Sequence, residues 1–147
     1  MMLSRRWLAA AYVAVALAAL ILTWGQNLPY FAGGGGLTAF PKFLIDAAAN
    51  PASRSVTFDI LLIFYAAAIW MVFEARRLRM RFVWVYVILG LFVAISVTFP
   101  LFLAVRELRT QIEPHIEGRP SIADGVGIGA LAVLVGYLCV FVLMRTA

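Results

Sequence analysis

In 147 positions this chain has one cysteine, one lysine, one histidine and seven acidic residues. The lone cysteine, Cys139, excludes an internal disulfide and a thiol redox pair. A single histidine, His115, excludes haem held between two histidines of one chain. Charged residues make up 13% of the chain, where a soluble domain carries about 25%. The length leaves no room for a membrane unit plus a soluble catalytic domain. What fills the sequence is apolar: 65% of residues are hydrophobic and the mean hydropathy is +0.99. The net charge of +5 comes almost entirely from arginine, and those arginines sit between apolar runs. Anionic lipid, rather than nucleic acid, is the partner such a distribution implies.

Runs of about 18 or more apolar residues read as membrane-spanning helices. Four stretches qualify: residues 7–24, 56–73, 82–105 and 126–144. They do not alternate as strands would, and in lipid the backbone polar groups must be satisfied within the segment. The expected fold is therefore all-α, a single domain made of a four-transmembrane-helix bundle. A cleaved signal peptide is the rival reading for the first run. Its apolar core is longer than a usual signal, and "LTWGQNLP" offers no small-x-small cleavage site.

Direction follows from basic residues. Arg5, Arg6, Arg76, Arg77, Arg79, Arg81 and Arg145 fall on one side of such a bundle. Lys42, Arg54, Arg106, Arg109 and Arg119 are spread over two longer loops on the other. The excess places both termini in the cytoplasm. Trp7, Trp70 and Trp84 would then lie near the inner face and Trp24 near the outer. The turn "EARRLRMR" sets topology, and its arginines Arg76, Arg77, Arg79 and Arg81 are candidates for lipid headgroups.

The first outer connection carries four glycines, Gly33 to Gly36, without the strand before or the Lys-Ser/Thr after that a phosphate loop requires. "PKFLIDAAAN" reads as a short interfacial helix, with Pro41 in its first turn and Asn50 stopping it. It either anchors the loop or forms a lid over the bundle. Asn50 and Pro51 can open the second span; a start there, instead of at Ser53 or Ser55, puts Asp59 deep enough for its charge to be costly. In the second outer loop, Glu113, His115 and Glu117 stand close enough to suggest a metal, but nothing else completes a site, and a solvated loop is expected.

Gly125 and Gly129 form a GxxxG pair that Ala132 and Gly136 continue, a surface suited to close helix packing. "GVGIG" lacks the strand-helix-strand unit of a dinucleotide site. Span one offers Ala10, Ala14 and Ala18. In span three Pro100 lacks an N–H and frees the Ser96 carbonyl, which Ser96 and Thr98 stand beside. Gln26, Asn27, Asp59, Arg106 and Glu107 would all reach the outer ends of their helices. The functional expectation is an outward pocket with an Asp59–Arg106 pair, lined by Glu107, Ser96, Pro100 and Asn27. The plainer expectation is a snorkelling arginine, a dipole cap and a bent helix.

These segments carry a family likeness. "ANPAS", the aspartate of span two, "EARRLRM", "WVY" and "PLFL" followed by "RE", with "LPYF" upstream, cover roughly residues 12–107. In this order they resemble a bacterial membrane family catalogued as domain of unknown function 2834. The resemblance implies a multi-helix membrane protein and no activity.

Taken together, the sequence implies a non-catalytic membrane protein that binds a lipid or apolar ligand, or serves as an accessory subunit. Membrane lipids, a second copy or a larger membrane complex are the expected partners, with no metal and no cofactor. A transporter or channel subunit using Asp59 is the alternative. A membrane enzyme acting on a lipid or isoprenoid would have to rely on Asp59, Glu107 and Tyr65.

Overall fold

The computed structural model describes residues 2–32, 38–112 and 119–145. The fold is all-α, with six helices among the described residues: α1 (Met2–Phe31), α2 (Ala39–Ala47), α3 (Pro51–Arg77), α4 (Val83–Phe92), α5 (Ile95–Ile112) and α6 (Ile122–Met144). Three of them, α1, α3 and α6, are long and apolar enough to cross a membrane. Their outer surfaces expose large hydrophobic side chains such as Leu22, Leu62, Ile63, Val133 and Val140, the surface expected of helices immersed in lipid.

The start of α3 is fixed by local chemistry. Asn50 is the N-cap, its side chain accepting the Ser53 N–H while the Ser53 hydroxyl accepts the Asn50 N–H, with Pro51 opening the helix. The early start is thus the one adopted, and Asp59 lies eight residues inside α3. α6 begins with the same reciprocal arrangement between Ser121 and Asp124.

The run 82–105 does not form one crossing helix. It divides into α4 and α5 around Val93 and Ala94, and the chain reverses. Tyr86 packs edge-on against Phe102, with ring centroids 5.7 Å apart. A Cβ on Gly90 would sit 2.9 Å from the Thr98 hydroxyl and 3.4 Å from Ile95. Pairing 86 with 102 and 90 with 95 and 98 defines an antiparallel helical hairpin. Its reversal has no glycine or proline; Pro100 falls inside α5, past the break. The exposed backbone groups are satisfied from nearby. Val93 N–H donates to Leu89 O at 2.7 Å, and the Ala94 carbonyl accepts the N–H groups of Val97 and Thr98, each at 3.2 Å. The indole of Trp24, reaching from α1, donates to the Val93 carbonyl at 3.2 Å. Irregular backbone at membrane depth is tolerated when protein covers it in this way.

The core centres on α3. Phe64, Ala68, Met71, Val72 and Ala75 meet Val83 and Val87 of α4, Phe102 of α5, and Leu131 and Val135 of α6. α1 lies along α5, burying Ala9 and Ala16. Ala10, Ala14 and Ala18, the face read from sequence, point outward. α2 rests against the hairpin tip, with the rings of Phe40 and Phe92 6.2 Å apart, and the Tyr30 hydroxyl of α1 donates to Asp46 of α2 at 2.8 Å.

The reversal changes the layout of the bundle. α5 returns to the end where α3 finishes, so Arg106 and Glu107 join the Arg76–Arg77 end, opposite to the placement expected from an unbroken span. α6 starts at that end too, through Asp124 and Arg76. Arg5 of α1 faces Glu107 there. Arg5 and Arg145 consequently lie at opposite ends of the bundle, whereas an even number of crossings had put both termini on one side.

Candidate functional site

The last turn of α3 is the hub of the polar structure. Glu74 faces α5 and accepts Arg106 Nε at 2.7 Å and Arg77 Nη2 at 2.8 Å. Arg106 also donates through Nη1 to Glu107 at 2.6 Å, and Arg5 Nη1 stands 3.7 Å from the other Glu107 oxygen. The chain Arg5–Glu107–Arg106–Glu74–Arg77 therefore ties α1, α5 and α3 together. The Arg106 guanidinium lies over the Trp70 ring, 5.7 Å from its centroid, and this stacking adds to its hold. Both carboxylates are buried, which is affordable only because each is paired.

Within the same turn, Arg76 grips Asp124 with both ends of its fork, at 2.7 Å and 2.6 Å. Asp124 is fully buried and also accepts the Trp84 indole N–H at 3.1 Å and the Ser121 N–H and hydroxyl, each at 2.9 Å. This second cluster joins α3, α4 and α6. The bidentate geometry is what the planar guanidinium favours.

Of the four headgroup candidates, then, two are engaged inside the bundle: Arg76 with Asp124 and Arg77 with Glu74. Arg79 and Arg81 are exposed, and their guanidinium groups make no hydrogen bond or ion pair with a described residue. They lie in the α3–α4 turn, where Arg79 and Phe82 adopt positive φ of 48° and 63°.

The residues expected to form one pocket are separated. Asp59 is exposed on α3 and has no polar partner among the described residues. Arg106 belongs to Glu74 and Glu107 instead. Ser96 is exposed near the hairpin tip and Pro100 is buried below it, ten and six residues before Arg106, so that Ser96 is about 15 Å from it along the helix. Asn27 is half-buried near the far end of α1 with no partner in the described residues. Gly125, Gly129 and Gly136 face away from the rest of the chain, a Cβ at each having nothing within 4 Å; Ala132 beside them is half-buried. α6 packs instead through Leu131, Val135, Leu138 and Val142. Glu113, His115 and Glu117 fall outside the described residues, and among those described no three His, Cys, Asp or Glu side chains gather as a metal set.

Two clefts remain. An apolar groove of about 210 Å³ runs between α4 and α6, from Trp84 and Gly127 at the charged end to Leu91 and Leu134, with Val87, Ile88, Ala130 and Leu131 along it. Gly127 is required there, since a Cβ would run into the Trp84 ring. A shallower, mixed cleft of about 360 Å³ lies at the opposite end among Gln26, Pro29, Tyr30, Lys42 and Asp46. Asp59 lines neither.

Glu74 and Asp124, the acids at the centre of the two clusters, are not among the site residues expected from the sequence. Glu74 stands three residues before Arg77, a local signal of an ion pair, whereas the partner of Asp124 is 48 residues away and only the fold brings it near.

The chain belongs to the family described as protein of unknown function DUF2834, whose model matches residues 11–108. The match runs from residue 11 within α1 through most of α5, the hub glutamate included, and stops before α6. Neither the curated proteins nor the solved structures give a match.

Proposed function

We propose that this is a non-catalytic integral membrane protein that holds a lipid chain or similar apolar ligand in the groove between α4 and α6. One observation carries the reading. The buried charged groups of the bundle are consumed in pairs with one another, whereas the groove that opens to the surroundings is lined by apolar side chains. A catalytic site needs polar groups converging on a space where a reacting atom can sit, and a transport path would have to pass Asp59, which stands at neither cleft.

In this reading three helices cross the membrane and the α4–α5 hairpin enters from the charged end and returns. Nine of the twelve basic residues then lie at that end, leaving Lys42, Arg54 and Arg145 at the other. This asymmetry is stronger than four crossings give, and it supports a cytoplasmic charged end with Arg5 inside and Arg145 outside. The membrane is taken to be a bacterial inner membrane on the strength of the family likeness.

Native mass spectrometry of the gently extracted protein tests the function: lipid should remain bound, and arrival free of lipid under conditions that preserve the fold overturns it. Membrane-impermeant thiol labelling tests the topology, using Cys139→Ser with single cysteines placed at Ser121 or Arg145. Labelling of both from the same side of the membrane overturns the three-crossing arrangement.

The outward stripe of Gly125, Gly129 and Gly136 favours a second reading, an accessory subunit that packs on another helix. The same spectra report it as a stoichiometry above one.

A further inference from the structure

We infer that the groove between α4 and α6 is the tail half of a site for an anionic phospholipid, whose headgroup is taken by Arg79 and Arg81. The inference rests on the proposed function, because it presumes that an acyl chain occupies the groove. The groove runs along α4 from Trp84 to Leu91, seven residue steps or about 10 Å at the helical rise. Its charged-end mouth is at Trp84, three residues after Arg81 and directly beyond the α3–α4 turn. A tail inserted from that end leaves its headgroup at the level of the turn.

The charge there is sorted in a way that matters. Arg76 is neutralised by the buried Asp124 and Arg77 by Glu74, so neither has a free charge to offer. Arg79 and Arg81 are exposed and unpaired among the described residues. The turn that carries them is held in a left-handed conformation at Arg79 and Phe82, which costs energy for side chains bearing a Cβ. It is fastened on one side by Met80 N–H donating to Ala75 O at 2.7 Å. Trp84 is fixed on the other side by its bond to Asp124. Two free guanidinium groups on a fastened turn, beside an apolar groove, complement a phosphodiester joined to an acyl chain.

The experiment reconstitutes the protein in vesicles of phosphatidylcholine and phosphatidylglycerol in equal amounts, extracts it gently, and counts retained lipids by native mass spectrometry. The wild type should be enriched in phosphatidylglycerol. Arg79→Gln and Arg81→Gln should each lower the ratio of phosphatidylglycerol to phosphatidylcholine about fivefold, the preference one arginine confers at an anionic surface, while total retained lipid stays constant. Arg109→Gln, another exposed arginine of the same end but on α5, should leave the ratio unchanged. Ala130→Trp and, separately, Leu134→Phe narrow the groove and should lower total retained lipid. An unaltered ratio in both Arg79→Gln and Arg81→Gln, or an equal drop in Arg109→Gln, overturns the headgroup assignment and leaves the groove reading standing. Undiminished total lipid in both groove variants overturns the groove reading itself.

Discussion

Arg106 of α5 and Glu74 of α3 meet at 2.7 Å across 32 residues of sequence, and that contact is possible only because the chain between them reverses within the bundle. Glu74 also holds Arg77, and Arg106 also holds Glu107, so the pair is the middle of a network. Replacing Glu74 by Gln leaves Arg106 with one carboxylate and Arg77 with none. A loss of about 1–3 kcal/mol is expected, below the full cost of breaking a buried pair because Arg106 keeps Glu107 and some solvent. Thermal unfolding in detergent measures it. Exchanging the two charges, Glu74→Arg with Arg106→Glu, should recover part of the loss if the pair acts directly.

Asp124 is the deeper anchor, since it is fully buried and serves Arg76, Trp84 and Ser121 at once. Asp124→Asn removes the charge that Arg76 was desolvated to meet, at a cost of about 3 kcal/mol, and weakens the start of α6. The loss should be felt locally. Hydrogen exchange in the first turns of α6 should accelerate more than in α1, and equal acceleration of both would show that Asp124 does not act as the clamp between α3 and α6.

The hairpin tip depends on a donor from another helix. Trp24→Phe keeps an aromatic ring that can stack on Phe31, now 5.8 Å away, and deletes the N–H that the Val93 carbonyl accepts. An orphaned carbonyl in apolar surroundings costs about 1–3 kcal/mol. Amide exchange around residues 93–98 should rise. If it does not, another group satisfies Val93 and the account of the reversal is wrong.

This contact also explains what was readable in the sequence and what was not. The long apolar helices α1, α3 and α6 follow from apolar length, α2 from its pattern, and the start of α3 from the Asn-Pro pair. The reversal at Val93 and Ala94 has no local signal: its residues are apolar, its turn holds neither glycine nor proline, and its stability comes from Trp24, nearly seventy residues away. Pro100 announced a disturbed helix but lies past the break, where α5 absorbs it. Once the hairpin was read as a crossing, Arg106 and Glu107 were assigned to the wrong end, and the supposed partnership with Asp59 followed. The weak split of basic residues between the two sides was the one warning.

Glycines separate close packing from open surface. Gly90→Val puts a side chain against Thr98 and Phe64 at the heart of the hairpin, and overpacking there should cost about 1–3 kcal/mol. Gly127→Ala should displace Trp84 and, through it, the bond to Asp124. Gly125→Leu and Gly129→Leu should leave the melting temperature of the monomer unchanged. Should those two variants instead alter the stoichiometry seen by native mass spectrometry, the α6 stripe is an interface with another helix.

Asp59 is a carboxylate eight residues inside a helix long and apolar enough to cross a membrane, exposed and without a polar partner in the described part of the chain. A lone carboxylate at the centre of a spanning helix costs about 3 kcal/mol. Asp59 is nearer the helix start, so less is recovered by removing it, and Asp59→Leu should raise the melting temperature of the extracted protein modestly. The same substitution in intact membranes gives the deciding comparison. Equal stabilisation in both settings means the carboxylate faces lipid and serves nothing. Stabilisation in detergent with destabilisation or loss of an associated protein in the membrane would show that Asp59 meets a basic or hydrogen-bonding group on another chain, because only an external partner can reverse the sign between the two settings.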